Sequence, residues 1–126
     1  MNETELYTYL KTRYLQDLEQ PMNKYEAYDC YSDYGKLQIE LKCRSKHYNT
    51  LILERDKYDV LMATAVDKGY APWYINSTPL GVYAFDLCAI ELWWIERDFP
   101  AKTEFDSPGS VRKCVTYLPI NRALQL

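Results

Sequence analysis

The stretch "KLQIELKCR" (residues 36–44) decides how the chain is read. Leu37, Ile39, Leu41 and Cys43 hold one parity, and Gln38, Glu40, Lys42 and Arg44 the other. That alternation predicts a strand with one apolar, buried face. Upstream, "YEAYDCY" (25–31) alternates as well, and "SDYG" (32–35) offers turn residues between the two runs. Together they predict a β-hairpin. With a turn at Asp33–Tyr34, Tyr31 stands opposite Lys36 and Asp29 opposite Gln38, and residues directly opposite share a face. Asp29, Gln38, Glu40 and Lys42 then converge on the polar side. A slip of one residue would send Asp29 to the other face, so this reading rests on the turn.

Working outward, Asn2 and Glu5 form a capping-box pair that opens a helix to about residue 19, with Leu6, Tyr9, Leu10 and Tyr14 as its apolar stripe and Pro21 after it. "SKHYNTLIL" (45–53) reads as a loop or short extended piece. A second helix is expected through "ERDKYDVLMATAVDKG" (54–69), where Tyr58, Leu61, Met62 and Ala65 recur at helical spacing and Gly69 is the stop. "APWYINST", "GVYAFDLCAIELWWI" and "VRKCVTYLPI" read as further strands, with "TPLG" turning between the first two. The expected fold is α/β (α+β): one domain, 1–126, with a mixed central β-sheet flanked by helices in the order α-β-β-α-β-β and a late strand.

Composition narrows the function. Apolar content of 48% and charged content of 26% describe a globular chain whose 126 residues suffice for a real core. Tyrosine is abundant, 13 against 3 Phe, which suits half-buried strands and wet grooves. Only 4 Gly are present and no phosphate-loop or dinucleotide fingerprint occurs. The cysteines (30, 43, 88, 114) form no C-x-x-C pair and His47 is the single histidine, which argues against a structural zinc site. Their placement, mostly in strand-like runs, favours free thiols and a reducing compartment. "MNETELYTYLK" contains no apolar signal core and no stretch is long enough for a membrane span, so a cytoplasmic protein is expected. Net charge is −3, yet residues 36–57 hold six basic side chains against three acidic ones. That segment favours phosphate as a ligand, although a solvated charge run would look the same.

Asp29, Glu40 and Lys42 form a compact group with a definite use. Two carboxylates suit a hard divalent cation, Mg²⁺ or Mn²⁺, and an adjacent lysine can orient or help deprotonate a water. The eleven-residue step from Asp29 to Glu40 and the E-x-K that follows resemble the core of the PD-(D/E)XK nuclease superfamily. "YDCYSDYGKLQIELKCRSKHYNTLILERDKYDVLM" is similar to small phage-encoded members, and the likeness covers roughly residues 25–88. It implies a restriction-endonuclease-like core and cleavage of nucleic acid, DNA before RNA, in phage DNA metabolism. It also implies Asp29 and Glu40 as metal-binding carboxylates, the Leu41 carbonyl as a further ligand, Lys42 as the catalytic lysine and Lys57 as an auxiliary phosphate contact. Members often add a first-helix glutamate, for which Glu3 and Glu5 are both candidates. Departures are the absence of a proline before Asp29 and the presence of Asp33, which could compete for its role. Arg44, Lys46 and His47 are candidate backbone contacts or simply a polar loop. Trp93 and Trp94, adjacent on a strand, would face opposite ways. A competing expectation keeps the fold and drops the chemistry: a binding protein that engages a host factor or another protein partner.

Overall fold

In a computed structural model describing residues 1–100 and 109–126, two helices pack on a mixed sheet. The chain order is α1 (Glu3–Arg13), β1 (Cys30–Ser32), β2 (Leu37–Cys43), β3 (Thr50–Glu54), α2 (Arg55–Lys68), β4 (Ala71–Thr78), β5 (Gly81–Asp86), β6 (Ile95–Pro100), β7 (Ser110–Pro119), a single 3₁₀ turn (Ile120–Arg122) and β8 (Leu124–Gln125). Five strands lie in the order β1-β2-β4-β5-β8, and β3-β7-β6 make a second, three-stranded sheet. β2 and β4 run parallel, and β3 and α2 form the crossover that a parallel pair requires. The other pairings are antiparallel.

The central sheet is covered on both faces, which corrects the expectation of one buried face for β2. Leu6, Leu10 and Leu18 pack on one side against Cys30, Ile39, Leu41 and Ile75. On the other, Leu61 of α2 and Leu51, Leu53 and Leu118 of the smaller sheet pack against Tyr74, Tyr83 and Phe85. Gln38, expected among the polar cluster, is fully buried beneath α2, where its Nε2 donates to the Leu61 carbonyl and Thr64 Oγ1. An interior strand has no solvent face over its whole length. Only past Glu40 does this side of β2 open.

The start of α1 and the stop of α2 follow local chemistry, whereas Glu54, before α2, makes no side-chain capping bond and α1 ends early. Asn2 Oδ1 accepts from the Glu5 N–H at 2.8 Å and the Asn2 N–H donates back to Glu5 Oε1 at 2.9 Å, the expected capping box. α1 ends at Arg13, short of residue 19, because Leu18 is drawn fully into the core. The Leu18 carbonyl then accepts from Tyr7 Oη at 2.7 Å and Lys11 Nζ at 2.6 Å, so α1 itself pins the chain that leaves it. α2 stops at Gly69, whose φ of 73° lets its N–H and that of Tyr70 return to the last helical carbonyls.

Three strand expectations are redrawn. "YEAYDCY" (25–31) is not a strand over its length: β1 is only Cys30–Ser32, and Asp29 lies just before it in a run of turns and bends. Residues 50–54 form a true strand paired with β7, where the sequence suggested at most an extended piece. "GVYAFDLCAIELWWI" is not one strand: Asp86 ends β5 by accepting from the Cys88 N–H at 3.0 Å, and β6 begins at Ile95. Trp93 and Trp94 lie between them. Trp93 is 73% exposed, while Trp94 is half-buried against Tyr58 and the Arg55 guanidinium. The four cysteines are free thiols. Among the described residues no helix is long and apolar enough to cross a membrane.

Candidate active site

The hairpin register differs from the expected one by two residues, an even slip that preserves faces. Tyr31 pairs with Gln38 and Cys30 with Ile39, and Asp29, just before the paired residues, lies near Glu40. The turn spans Asp33 to Lys36, with Lys36 at φ 55°. Asp17 holds it: its carboxylate accepts from Ser32 Oγ at 2.8 Å and from the Tyr34 N–H at 2.9 Å. No feature of the hairpin sequence announces this remote cap.

At Asp29 the two strands separate. The Asp29 N–H donates to the Ile39 carbonyl at 2.9 Å, although Ile39 is already registered against Cys30. Two residues of one chain thus meet one of the other, as at a β-bulge. The Asp29 carboxylate turns back to accept the Leu41 N–H at 2.7 Å. Within a strand the N–H and C=O of one residue point the same way, so the Leu41 carbonyl faces this gap too.

Three carboxylates meet here. Glu3, from the first turn of α1, shares a hydrogen bond with Asp29 that raises its pKa, with burial adding to the effect. Glu5, the other candidate on the first helix, is engaged in the capping box with Asn2. Glu40 is pushed up to about 7, first by burial and then by the charge of Asp29, with Lys57 opposing. Its Oε1 lies 3.5 Å from Lys57 Nζ, and its side chain is only 14% exposed. Lys42, two residues on along the same face, lines a cleft of about 210 Å³ with Glu40, Lys57, Tyr74, Glu54 and Lys113.

The remaining expected residues separate. Arg44 is turned inward: Nε donates to Asn76 Oδ1 at 2.8 Å, and Nη2 to the Ile52 carbonyl at 2.7 Å and Tyr74 Oη at 3.0 Å. It ties the end of β2 to β4 and β3 while still lining the cleft beside Lys42. His47 is half-buried, with Nδ1 2.9 Å from Thr78 Oγ1 and its ring beside Tyr83. Lys46 is exposed on a shallow groove that also includes Lys42 and Tyr48. Asp33 binds Tyr70 Oη and lines a separate groove with Tyr28 and Lys68, away from Glu40. Glu54, Lys113 and Phe99 were not anticipated. They reach the cleft through the β3-β7-β6 pairing, for which the sequence offers no signal.

The donor set is all oxygen. Asp29, Glu40 and the Leu41 carbonyl at one gap, with Glu3 beside them, fit a hard divalent cation in chemistry. Among the described residues no three His, Cys, Asp or Glu side chains are arranged so that they could hold a metal ion together, and Asp29 Oδ2 accepts the Leu41 N–H.

Fold and site together define a restriction-endonuclease-like core with an acidic gap opening onto a lysine-lined cleft. Among solved structures, the chain is similar to the Holliday junction resolvase Hjc of Archaeoglobus fulgidus, an archaeal hyperthermophile. The TM-score is 0.64 over 97% of this chain and 94% of the resolvase, at 17% identity. At that identity the likeness establishes a shared fold, and it is the fold implied by the sequence resemblance to PD-(D/E)XK nucleases. No family model and no curated protein sequence matches the chain.

Proposed function

We propose that the chain is a divalent-metal-dependent nuclease that hydrolyses phosphodiester bonds in DNA. One observation carries this reading: the Asp29 carboxylate, accepting the Leu41 N–H at 2.7 Å, stands close to Glu40, which lines a cleft together with Lys42 and Lys57. Two acids this close repel each other, and a cation between them relieves the repulsion. The shared fold with a DNA-junction resolvase supports the substrate class.

Asp29, Glu40 and the Leu41 carbonyl would hold Mg²⁺ or Mn²⁺, which when bound supplies Lewis-acid stabilisation of phosphate charge and lowers the pKa of water. Lys42 lies on the same face as Glu40, where its ammonium orients the attacking water and stabilises charge developing on the phosphate oxygens. Lys57 neutralises Glu40 and presents its remaining N–H groups to the cleft, a contact for a non-bridging phosphate oxygen. Glu3 steadies Asp29 through their shared hydrogen bond. Lys46, exposed at the end of β2, extends the positive surface toward the backbone of a bound strand. The setting expected from the sequence resemblance is phage DNA metabolism.

The test is a cleavage assay on labelled single-stranded, duplex, flapped and four-way-junction DNA, with RNA counterparts, in Mg²⁺, Mn²⁺ or chelator. Divalent-dependent cleavage that disappears in Lys42→Ala and Glu40→Gln supports the reading. A folded wild-type chain that cuts no substrate in either ion overturns it, and leaves the binding-protein expectation standing.

A further inference from the structure

The cleft has a second wall that the proposed chemistry does not use. Glu54 pairs with Val115, Ile52 with Tyr117, and Phe99 with Val111, two residues from Lys113. Side chains alternate along strands, so this register puts Ile52, Glu54, Phe99, Lys113 and Val115 on one face of the three-stranded sheet. All five line the cleft opposite Glu40 and Lys42.

At the centre of that wall Lys113 Nζ lies 2.6 Å from Glu54 Oε1, with the Phe99 ring centroid 5.9 Å away. Lys113 is the main cause holding the Glu54 carboxyl below its usual range, and Lys57 and Lys42 add to it. One carboxylate therefore sits among amines from β7, α2 and β2. This is an anion position, with Glu54 as its resident anion. Beside it, Phe99, Ile52 and Val115 supply an apolar surface.

We propose, on the basis of the nuclease reading of this cleft, that the three-stranded sheet carries a second nucleotide subsite. Lys113 takes the phosphate adjoining the scissile one, displacing Glu54, and Phe99 stacks on the base of an unpaired strand. A cleft of about 210 Å³ admits a phosphate with part of one nucleoside. An aromatic ring stacks only on a base whose face is free. The inferred substrate class is DNA with an unpaired segment at the cut.

The experiment is equilibrium binding of the full chain, in Ca²⁺, to a fluorescent single-stranded oligonucleotide and to the matching duplex, followed by anisotropy across a salt series. Lys113→Ala is expected to weaken single-strand binding about tenfold and to reduce the slope of log K against log salt by about 0.7, one phosphate contact. Lys113→Arg restores both. Phe99→Ala is expected to weaken single-strand binding about tenfold without changing the salt slope, and to leave duplex binding unaltered. Glu54→Gln tightens binding. Unchanged single-strand affinity in folded Lys113→Ala and Phe99→Ala, or no single-strand binding by wild type, overturns the subsite. Equal losses on duplex and single strand in Phe99→Ala overturn the unpaired-strand assignment. If these binding losses appear while wild type cleaves nothing, the subsite stands and the catalytic reading fails.

Discussion

The two walls of the cleft each present one glutamate, and the two respond in opposite directions. On the five-stranded wall, burial and then Asp29 push Glu40 up to about 7. On the three-stranded wall, Lys113 foremost holds Glu54 below the ordinary carboxylate range. Lys57 acts on both, so it does not cause the difference. What differs is the other company each keeps: the Glu40 side chain, 14% exposed, lies near Asp29 and Glu3, whereas that of Glu54, 34% exposed, lies among amines. The first wall is by its electrostatics a place for a cation, and the second a place for an anion. A phosphodiester held by metal on one side and lysine on the other would fit between them.

The sharpest way to break this contrast is through activity. Lys42→Ala is expected to lower the divalent-dependent cleavage rate by about 10²–10⁴-fold, the range for loss of a positioned proton-transfer or charge-stabilising group. Glu54→Gln should leave the chemical step within a few-fold of wild type. Single-turnover kinetics separate the two, and equal losses would erase the distinction between the walls.

Next in size is the tie that joins the walls. Arg44→Ala leaves Asn76 Oδ1, the Ile52 carbonyl and Tyr74 Oη without their guanidinium donor, at a cost of about 2–4 kcal/mol. Urea unfolding would show it as a lower midpoint. Arg44→Lys should recover only part, because an ammonium cannot reproduce the planar fork. A neutral effect of Arg44→Ala would show that the walls hold their spacing without it.

Metal-free stability gives a third comparison, with opposite signs for the two glutamates. Glu40 has a raised pKa in the folded chain, so folding takes up a proton between the ordinary value of 4.5 and about 7. Stability therefore falls as pH rises through that window, and the charged form is the unfavourable one. Glu40→Gln is expected to stabilise the chelated protein at pH 8 by about 1–3 kcal/mol, with little change at pH 5. Glu54 has a depressed pKa, so its contribution is present above its unfolded value and lost as pH falls through the folded one. Glu54→Gln should then destabilise at pH 8, by less than about 1 kcal/mol because the pair is partly exposed. Thermal melts of both variants at the two pH values check the signs.

How far the sequence carried this picture depends on whether the deciding interactions were local. β2, α2 with its Gly69 stop, the Asn2–Glu5 box and the turn before Gly81 rest on periodicity and capping within a few residues, and each was legible. The hairpin register was not, because the turn is held by Asp17, which lies fifteen residues before Ser32. The slip was even, so it kept the paired residues on their expected faces, and Asp29 lies near Glu40. Burial of Gln38 depends on α2 crossing over β2, and Arg44 turns inward because Asn76 and Tyr74 arrive on the parallel strand β4. Alternation alone cannot show whether a polar parity meets water or another element. Glu54 and Lys113 were the least visible, being fifty-nine residues apart in sequence and joined only through the β3-β7 pairing.

The central claim is that the acidic gap on the first wall is a cation site, and Mn²⁺ binding followed by calorimetry tests it without reference to cleavage. The account predicts saturable binding to the wild-type chain at pH 7.5, abolished in Glu40→Gln and in Asp29→Asn but retained in Glu54→Gln. Binding lost in Glu54→Gln and kept in Glu40→Gln, or no binding by the folded wild-type chain, would contradict it.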